Sequence, residues 1–219
     1  MSEAAPTTDT MFAPSELVIL FGDRFAPQAG MLASKEEVMT SGVKVNSEKL
    51  MNAAIKAALY AVHRSGAGRL EIRAGTALFG LRKTQNVFLL QGTGTASFPQ
   101  GSLEAYLVEA VAMEQEVEDV LKAYIDEETS NPPQRALGLM KRGMSERGLL
   151  EAEMKKTMMV FTTINYALPA ATRMAAEAQG TAEVQRMLRD FEQREPALDK
   201  ALQAEIDSAR VFMTSSPND

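Results

Sequence analysis

The chain has no cysteine and no tryptophan among its 219 residues, and a single histidine. Without cysteine there is no thiolate nucleophile, no disulfide and no cysteine-rich zinc site. This usage fits a reducing compartment, so a cytoplasmic location is expected. The N-terminal MSEAAPTTDTMFAPSE has neither a basic n-region nor an apolar h-region, so a signal peptide is not expected. Long apolar runs are also missing. The longest, Leu50 to Val62, is 13 residues and contains Lys56, short of the roughly 20 that a spanning helix needs. Any membrane contact is therefore expected to be peripheral.

Motifs for chemistry are scarce. His63 falls on the polar side of a helix, where a lone histidine is ordinarily structural or solvated. Glu114 and Glu118, four apart, share a helix face but have no ligand histidine nearby in sequence and read as surface charge. Gly92-Thr93-Gly94-Thr95-Ala96-Ser97 approximates a dinucleotide glycine motif. It lacks the third glycine, and Phe98-Pro99 stands where the helix should begin. No phosphate-loop lysine, acyl-transfer elbow or kinase motif occurs. The chain is read as non-enzymatic, with no cofactor and no metal site.

What is present is patterned. Net charge is −6, which disfavours nucleic acid as the default partner. The charge is unevenly spread. Arg64 to Lys83 holds five basic residues and one acidic, Glu109 to Glu128 eight acidic and one basic, and Arg135 to Lys156 six basic and three acidic. Two basic segments bracket an acidic one, and such clusters steer partners.

Residues 1–14 and 214–219 read as tails around a single domain over 15–213. Ser15 to Phe21 fits a short helix or a buried strand equally. Gly22 to Val45 reads as loop, with a helical piece near Ser34 to Met39. Ser47 to Arg64 is a helix capped by Ser47, with Met51, Ile55, Ala58 and Val62 facing the core and Lys49, Asn52, Lys56 and His63 on another face. Arg69–Arg73 and Thr84–Gln91 follow as a β-hairpin. Ser102 to Glu128 reads as one long acidic helix, broken at Asn131-Pro132-Pro133. Gln134 to Arg147 is helical, with Arg135 and Arg142 on a shared face, and Gly143 is expected to weaken it. A second hairpin is expected over Met154–Val160 and Thr162–Leu168, although its Met-rich start also fits helix. Two or three helices fill 170–213. The fourteen methionines are expected mainly in the core, with an adaptable partner groove as the sharper alternative. The fold class is thus mainly α: one compact helical domain with two helix-then-β-hairpin units, ordered like winged-helix modules.

Surfaces remain as carriers of function. If the tip of the second hairpin projects, Phe161, Ile164 and Tyr166 lie near exposed positions beside basic residues, a combination suited to an anionic membrane. The order of motifs resembles the Golgi phosphoprotein 3 family. SELVILFGDRFAPQAG, AALYAVHRSGAGRLEI, Phe98-Pro99 to Leu107 and LMKRGMSERGLLEAEMKK each resemble one of its elements in turn, over roughly Ser15 to Gln193. The resemblance implies a mostly helical domain with an inserted hairpin, acting as a peripheral adaptor that binds phosphatidylinositol 4-phosphate and recognises protein tails. The family's tryptophan has no counterpart here. By the same resemblance Arg135 answers to an arginine of its headgroup pocket, and Lys49 or Lys56 stands for an arginine early in the first long helix. Arg135, Arg142, Lys49 and Lys56 are therefore the candidate headgroup residues. Phe161, Ile164 and Tyr166 are the candidate membrane or partner hairpin, with self-association through it a further option. A winged-helix DNA regulator and a protein–protein scaffold are the alternatives.

Overall fold

The most apolar segment organises the molecule. The computed structural model describes residues 11–77, 82–112, 114–125, 131–157 and 161–214. Ser47–Arg64 forms α2, and Leu50, Met51, Ala54, Ile55, Ala57, Ala58, Leu59, Tyr60 and Val62 on it are all buried. A helix apolar nearly all round has to be enclosed. Here Pro14–Leu20 (α1), Leu103–Ala110 (α3), Pro132–Glu146 (α5), Ala182–Arg194 (α7) and Pro196–Thr214 (α8) all touch it. Alanines at 54, 57, 58 and 61 leave little side-chain bulk between α2 and its neighbours. The helix start is shifted by one residue from expectation. Asn46, not Ser47, is the cap, its Oδ1 accepting from the Lys49 N–H at 3.0 Å.

The remaining elements are β1 Lys35–Glu37, β2 Lys44–Asn46, β3 Gly68–Ala77, β4 Arg82–Gln91, β5 Gln115–Glu116, α4 Val117–Ile125, β6 Glu151–Thr157, β7 Phe161–Ala167 and α6 Ala170–Gln179. A short 3-10 turn spans Gly22–Arg24. The sheets are antiparallel, in the orders β1-β2, β3-β4-β5 and β6-β7. Both expected helix-then-hairpin units are present, as α2-β3-β4 and α5-β6-β7. The mainly helical class is observed.

Three expectations are corrected. The helical piece near Ser34 to Met39 is strand β1, whose Glu36 is buried opposite Val45 and pairs with Lys141. The long acidic helix is divided into α3 and α4. Between them, Glu114 pairs with Arg73 and β5 adds to the edge of β4, with Leu89 opposite Gln115 and Phe88 opposite Glu116. Finally, Phe12 and Ala13, assigned to a tail, are buried. Gln179 holds Phe12 through both its backbone groups, accepting from its N–H at 3.3 Å and donating to its carbonyl at 3.0 Å.

Buried charge ties α1 to α3 and α5. Glu104 is fully buried and accepts from Ser15 twice, from its N–H at 2.8 Å and its hydroxyl at 2.7 Å. Glu16, next in sequence and also buried, pairs with Arg147 and accepts from the Ala13 N–H at 2.9 Å. Burial and the neighbouring Glu16 charge push the Glu104 carboxyl up to about 7. Burial also raises the Glu16 carboxyl, and Arg147 opposes that rise.

Candidate functional site: the face along α5

Helix α5 joins the two regions in which the candidate residues lie. Pro132 and Pro133 open it, where a missing N–H costs nothing, and Asn131 Oδ1 accepts from the Gln134 N–H at 3.4 Å. Gln134 also donates from Nε2 to the Lys35 carbonyl at 2.8 Å, which sets the start of α5 beside β1. The α2 start lies against the same ribbon, because β2 runs directly into it and the Ser47 N–H donates to the Ser34 carbonyl at 3.1 Å. Two of the four candidate cations, half-buried Arg135 and exposed Lys49, are therefore on helix starts that share β1 as a neighbour.

That ribbon adds two basic residues that the sequence reading did not single out. Lys35 faces Asn46 and Lys44 faces Glu37 across the β1-β2 pair, so both lysines lie on its solvent side while Glu36 and Val45 point inward. The alternation that places them is one of burial, and the tripeptide KEE, charged throughout, shows none of it in sequence.

Lys56 belongs elsewhere. Its Nζ is 2.8 Å from Asp199 Oδ1, near the start of α8, and the Tyr60 hydroxyl donates to the same oxygen. Burial and Asp199 hold the Tyr60 phenol protonated well above its ordinary range. The ring stacks on Phe191 with centroids 3.6 Å apart, and His63 meets Phe191 edge-on at 5.7 Å. His63 Nδ1 accepts from the Leu70 N–H at 3.1 Å, a structural tie from helix to strand. Tyr60, His63, Phe191 and Arg194 line a small cavity of about 260 Å³. Lys56 is thus neutralised in a helix-to-helix contact, and its setting is that of a core fastening.

At the other end of α5, Arg142 is exposed and pairs with Glu146 at 2.8 Å. Tyr166 lies close enough to feel both charges, and burial raises its phenol. The β6-β7 register sorts this hairpin into two faces. Ala152 opposite Tyr166 and Met154 opposite Ile164 form an apolar one, while Glu153 opposite Asn165 belongs to the polar one. Tyr166 and Leu168 pack against the core, but Met154 is 80% and Ile164 53% exposed. The apolar face therefore begins on the body and continues into solvent. The side chain of Phe161 lies outside the described residues.

Between the basic end and the hairpin runs an open cleft of about 900 Å³. Its walls are β1 with the following turn on one side and Ile164–Leu168 on the other, over Gln134, Gly138 and Lys141 of α5. Arg173 of α6 closes one end, donating to the Met39 carbonyl at 3.0 Å and to that of Thr40. Methionine usage is split accordingly. Met51, Met140, Met144 and Met187 fill the core, whereas Met31, Met154 and Met174 are exposed.

The glycine motif at 92–94 is explained by packing. The Gly94 N–H donates to the Gly66 carbonyl at 2.7 Å, and the Gly92 N–H to that of Ala67 at 3.1 Å. A Cβ on Gly92 would lie 1.9 Å from the Gly66 oxygen. Both glycines let this loop touch the α2-to-β3 turn, backbone on backbone. Among the described residues no helix is long and apolar enough to cross a membrane, and no three of His, Asp and Glu are grouped to hold a metal ion. No protein-family model, curated protein or solved structure matches the chain.

Proposed function

We propose that this protein is a non-enzymatic peripheral adaptor that holds an anionic membrane surface with the face along α5. The observation that carries the reading is the β6-β7 hairpin, whose apolar face leaves the body with Met154 and Ile164 in solvent. A two-stranded hairpin is marginal by itself and gains from burial of one face. Leaving two large apolar side chains in water forgoes roughly 1.5–3 kcal/mol each, which insertion into a bilayer recovers. Lys35, Lys44 and Lys49, exposed around the start of α5, supply the positive charge that an anionic leaflet attracts, while Arg142 at the hairpin base is already paired with Glu146.

The motif order shared with the Golgi phosphoprotein 3 family supports the same reading and makes a phosphoinositide headgroup the first anionic lipid to try. In such an adaptor the cleft between β1 and β7 is where an extended protein tail would lie. Lys56 is no longer part of the proposed headgroup set.

Vesicle flotation at low salt tests the proposal. The chain is expected to float with vesicles containing phosphatidylserine or phosphatidylinositol 4-phosphate and not with phosphatidylcholine alone. Joint replacement Met154→Asp and Ile164→Asp is expected to weaken flotation by about tenfold or more. Wild-type chain that stays with the soluble fraction at every lipid composition rules the reading out.

A further inference from the structure

The turn before β1 carries side chains that its geometry does not call for. The Ala33 N–H donates to the Gly30 carbonyl at 3.3 Å, closing a four-residue turn with Met31 and Leu32 at its two central positions. Central turn positions usually hold Pro, Asn, Asp or Gly, for their backbone preferences and their ease in water. Here they hold two large apolar side chains, 92% and 99% exposed. The turn is fastened at its base. Gln28 bridges Val45, the Ala29 N–H donates to the Lys44 carbonyl at 3.0 Å, and the Asn46 and Ser47 N–H groups donate to the Pro27 and Ser34 carbonyls. Met31 and Leu32 thus form a prong of fixed position.

Its surroundings are basic. Lys35 follows three residues later, Lys44 is bonded through its backbone to Ala29, and Lys49 stands on the adjoining first turn of α2; all three are exposed. The acidic side chains in this region include Glu37, across from Lys44, Glu36, which pairs with Lys141, Glu48, which pairs with Arg210 at 3.0 Å, and Asp23, exposed beside Arg24 on the 3-10 turn that meets β2. The solvent side therefore keeps a positive excess around an apolar tip.

We infer that the Met31–Leu32 turn is a membrane-insertion prong, which enters the acyl boundary of an anionic leaflet while Lys35, Lys44 and Lys49 lie among its headgroups. Charge complementarity selects the occupant. An apolar tip ringed by lysines fits an apolar layer bounded by phosphate, and each lysine near such a surface adds to the attraction. The inference rests on the proposed peripheral function and gives it a second contact, independent of the hairpin.

The absence of tryptophan supplies the test, since Leu32→Trp places a single indole at the tip. Flotation and fluorescence are measured on the same sample, with phosphatidylserine-containing vesicles and brominated acyl chains as quencher. The expected result is co-flotation, a blue-shifted emission and quenching by the brominated lipid. Joint replacement Met31→Gln and Leu32→Gln, at positions that contribute nothing to the core, is expected to weaken flotation by about tenfold with the thermal midpoint unchanged. Co-flotation with an unshifted, unquenched indole overturns the prong and leaves the hairpin reading standing. A shift that grows with protein concentration in the absence of lipid assigns the tip to self-association and also overturns it. Failure to float at all removes both.

Discussion

At the residue scale, the most informative side chains are those whose charge is already committed. Lys56 reads in sequence like any cation on the polar side of a helix. Only the fold brings Asp199 to it, from 143 positions away. Its partner is expected to matter for stability: Asp199→Ala leaves a half-buried ammonium and the Tyr60 hydroxyl without their acceptor. A loss of roughly 1–3 kcal/mol is expected in denaturant unfolding. Glu104 makes a second test. Its carboxyl titrates near 7 in the folded chain against an ordinary 4.5, so the folded state keeps the proton longer than the unfolded one. The contribution of Glu104 to stability is then fully present below about pH 4.5. It is lost as the pH rises through 7. Glu104→Gln keeps an oxygen for Ser15 and never ionises. Thermal unfolding is expected to show the variant more stable than wild type at pH 8, by up to about 3 kcal/mol, with the gap closing at pH 5. An equal difference at both pH values contradicts the assignment.

At the element scale, helices announced by periodicity appear where expected, as α2, α5 and the C-terminal three do. Each fills an apolar stripe from its own sequence. The division of 102–128 was not legible, because its cause is remote. Leu103, Leu107 and Val111 make one stripe. On a continuous helix Val117 falls about 120° round from Val111 and Leu121 back on the side of Leu103, but nothing local says that Gln115 will find Leu89 or Glu114 find Arg73. Tertiary pairing outweighs helical preference there. The strand at Lys35–Glu37 was missed for a similar reason, since a three-residue strand carries too little alternation to be seen without its partner.

Gly143 was expected to weaken α5, and its purpose appears only in three dimensions. A Cβ there would lie 2.0 Å from the Gly101 oxygen, so α5 and the loop before α3 meet backbone to backbone. Gly138, five residues earlier, has nothing within 4 Å of its Cβ direction. Gly143→Ala is expected to lower stability by on the order of 2–3 kcal/mol, whereas Gly138→Ala is expected to raise it by up to about 1 kcal/mol. Denaturation midpoints of the two variants, measured side by side, check the close contact directly.

At the scale of the whole molecule, the two helix-then-hairpin units have different surroundings despite their shared order. The helix of the first is enclosed by five others, and its exposed residues, Lys49 and Arg64, lie near its two ends. The helix of the second lies under the cleft, with basic residues at its start and the apolar hairpin at its end. Fifteen residues of α-helix separate these ends by roughly 22 Å. The candidate cations were legible one by one. Their partition between α5 and the core was not, because it depends on which helices become neighbours. The apolar turn at Met31–Leu32 left a readable trace, two large apolar residues just after a glycine, but Phe25, Val38 and Met39 in the same stretch read alike, and exposure is a property of the fold.

The central claim is attachment to an anionic surface by charge and apolar contact together, and salt dependence addresses both parts in one measurement. Co-sedimentation of the full chain is followed with phosphatidylserine-containing and pure phosphatidylcholine vesicles as sodium chloride is raised. The account expects strong retention on the anionic vesicles at low salt, declining but not vanishing at high salt as screening removes the lysine and arginine contribution, and little retention on phosphatidylcholine. Equal retention on both lipids, or none on either, would contradict it.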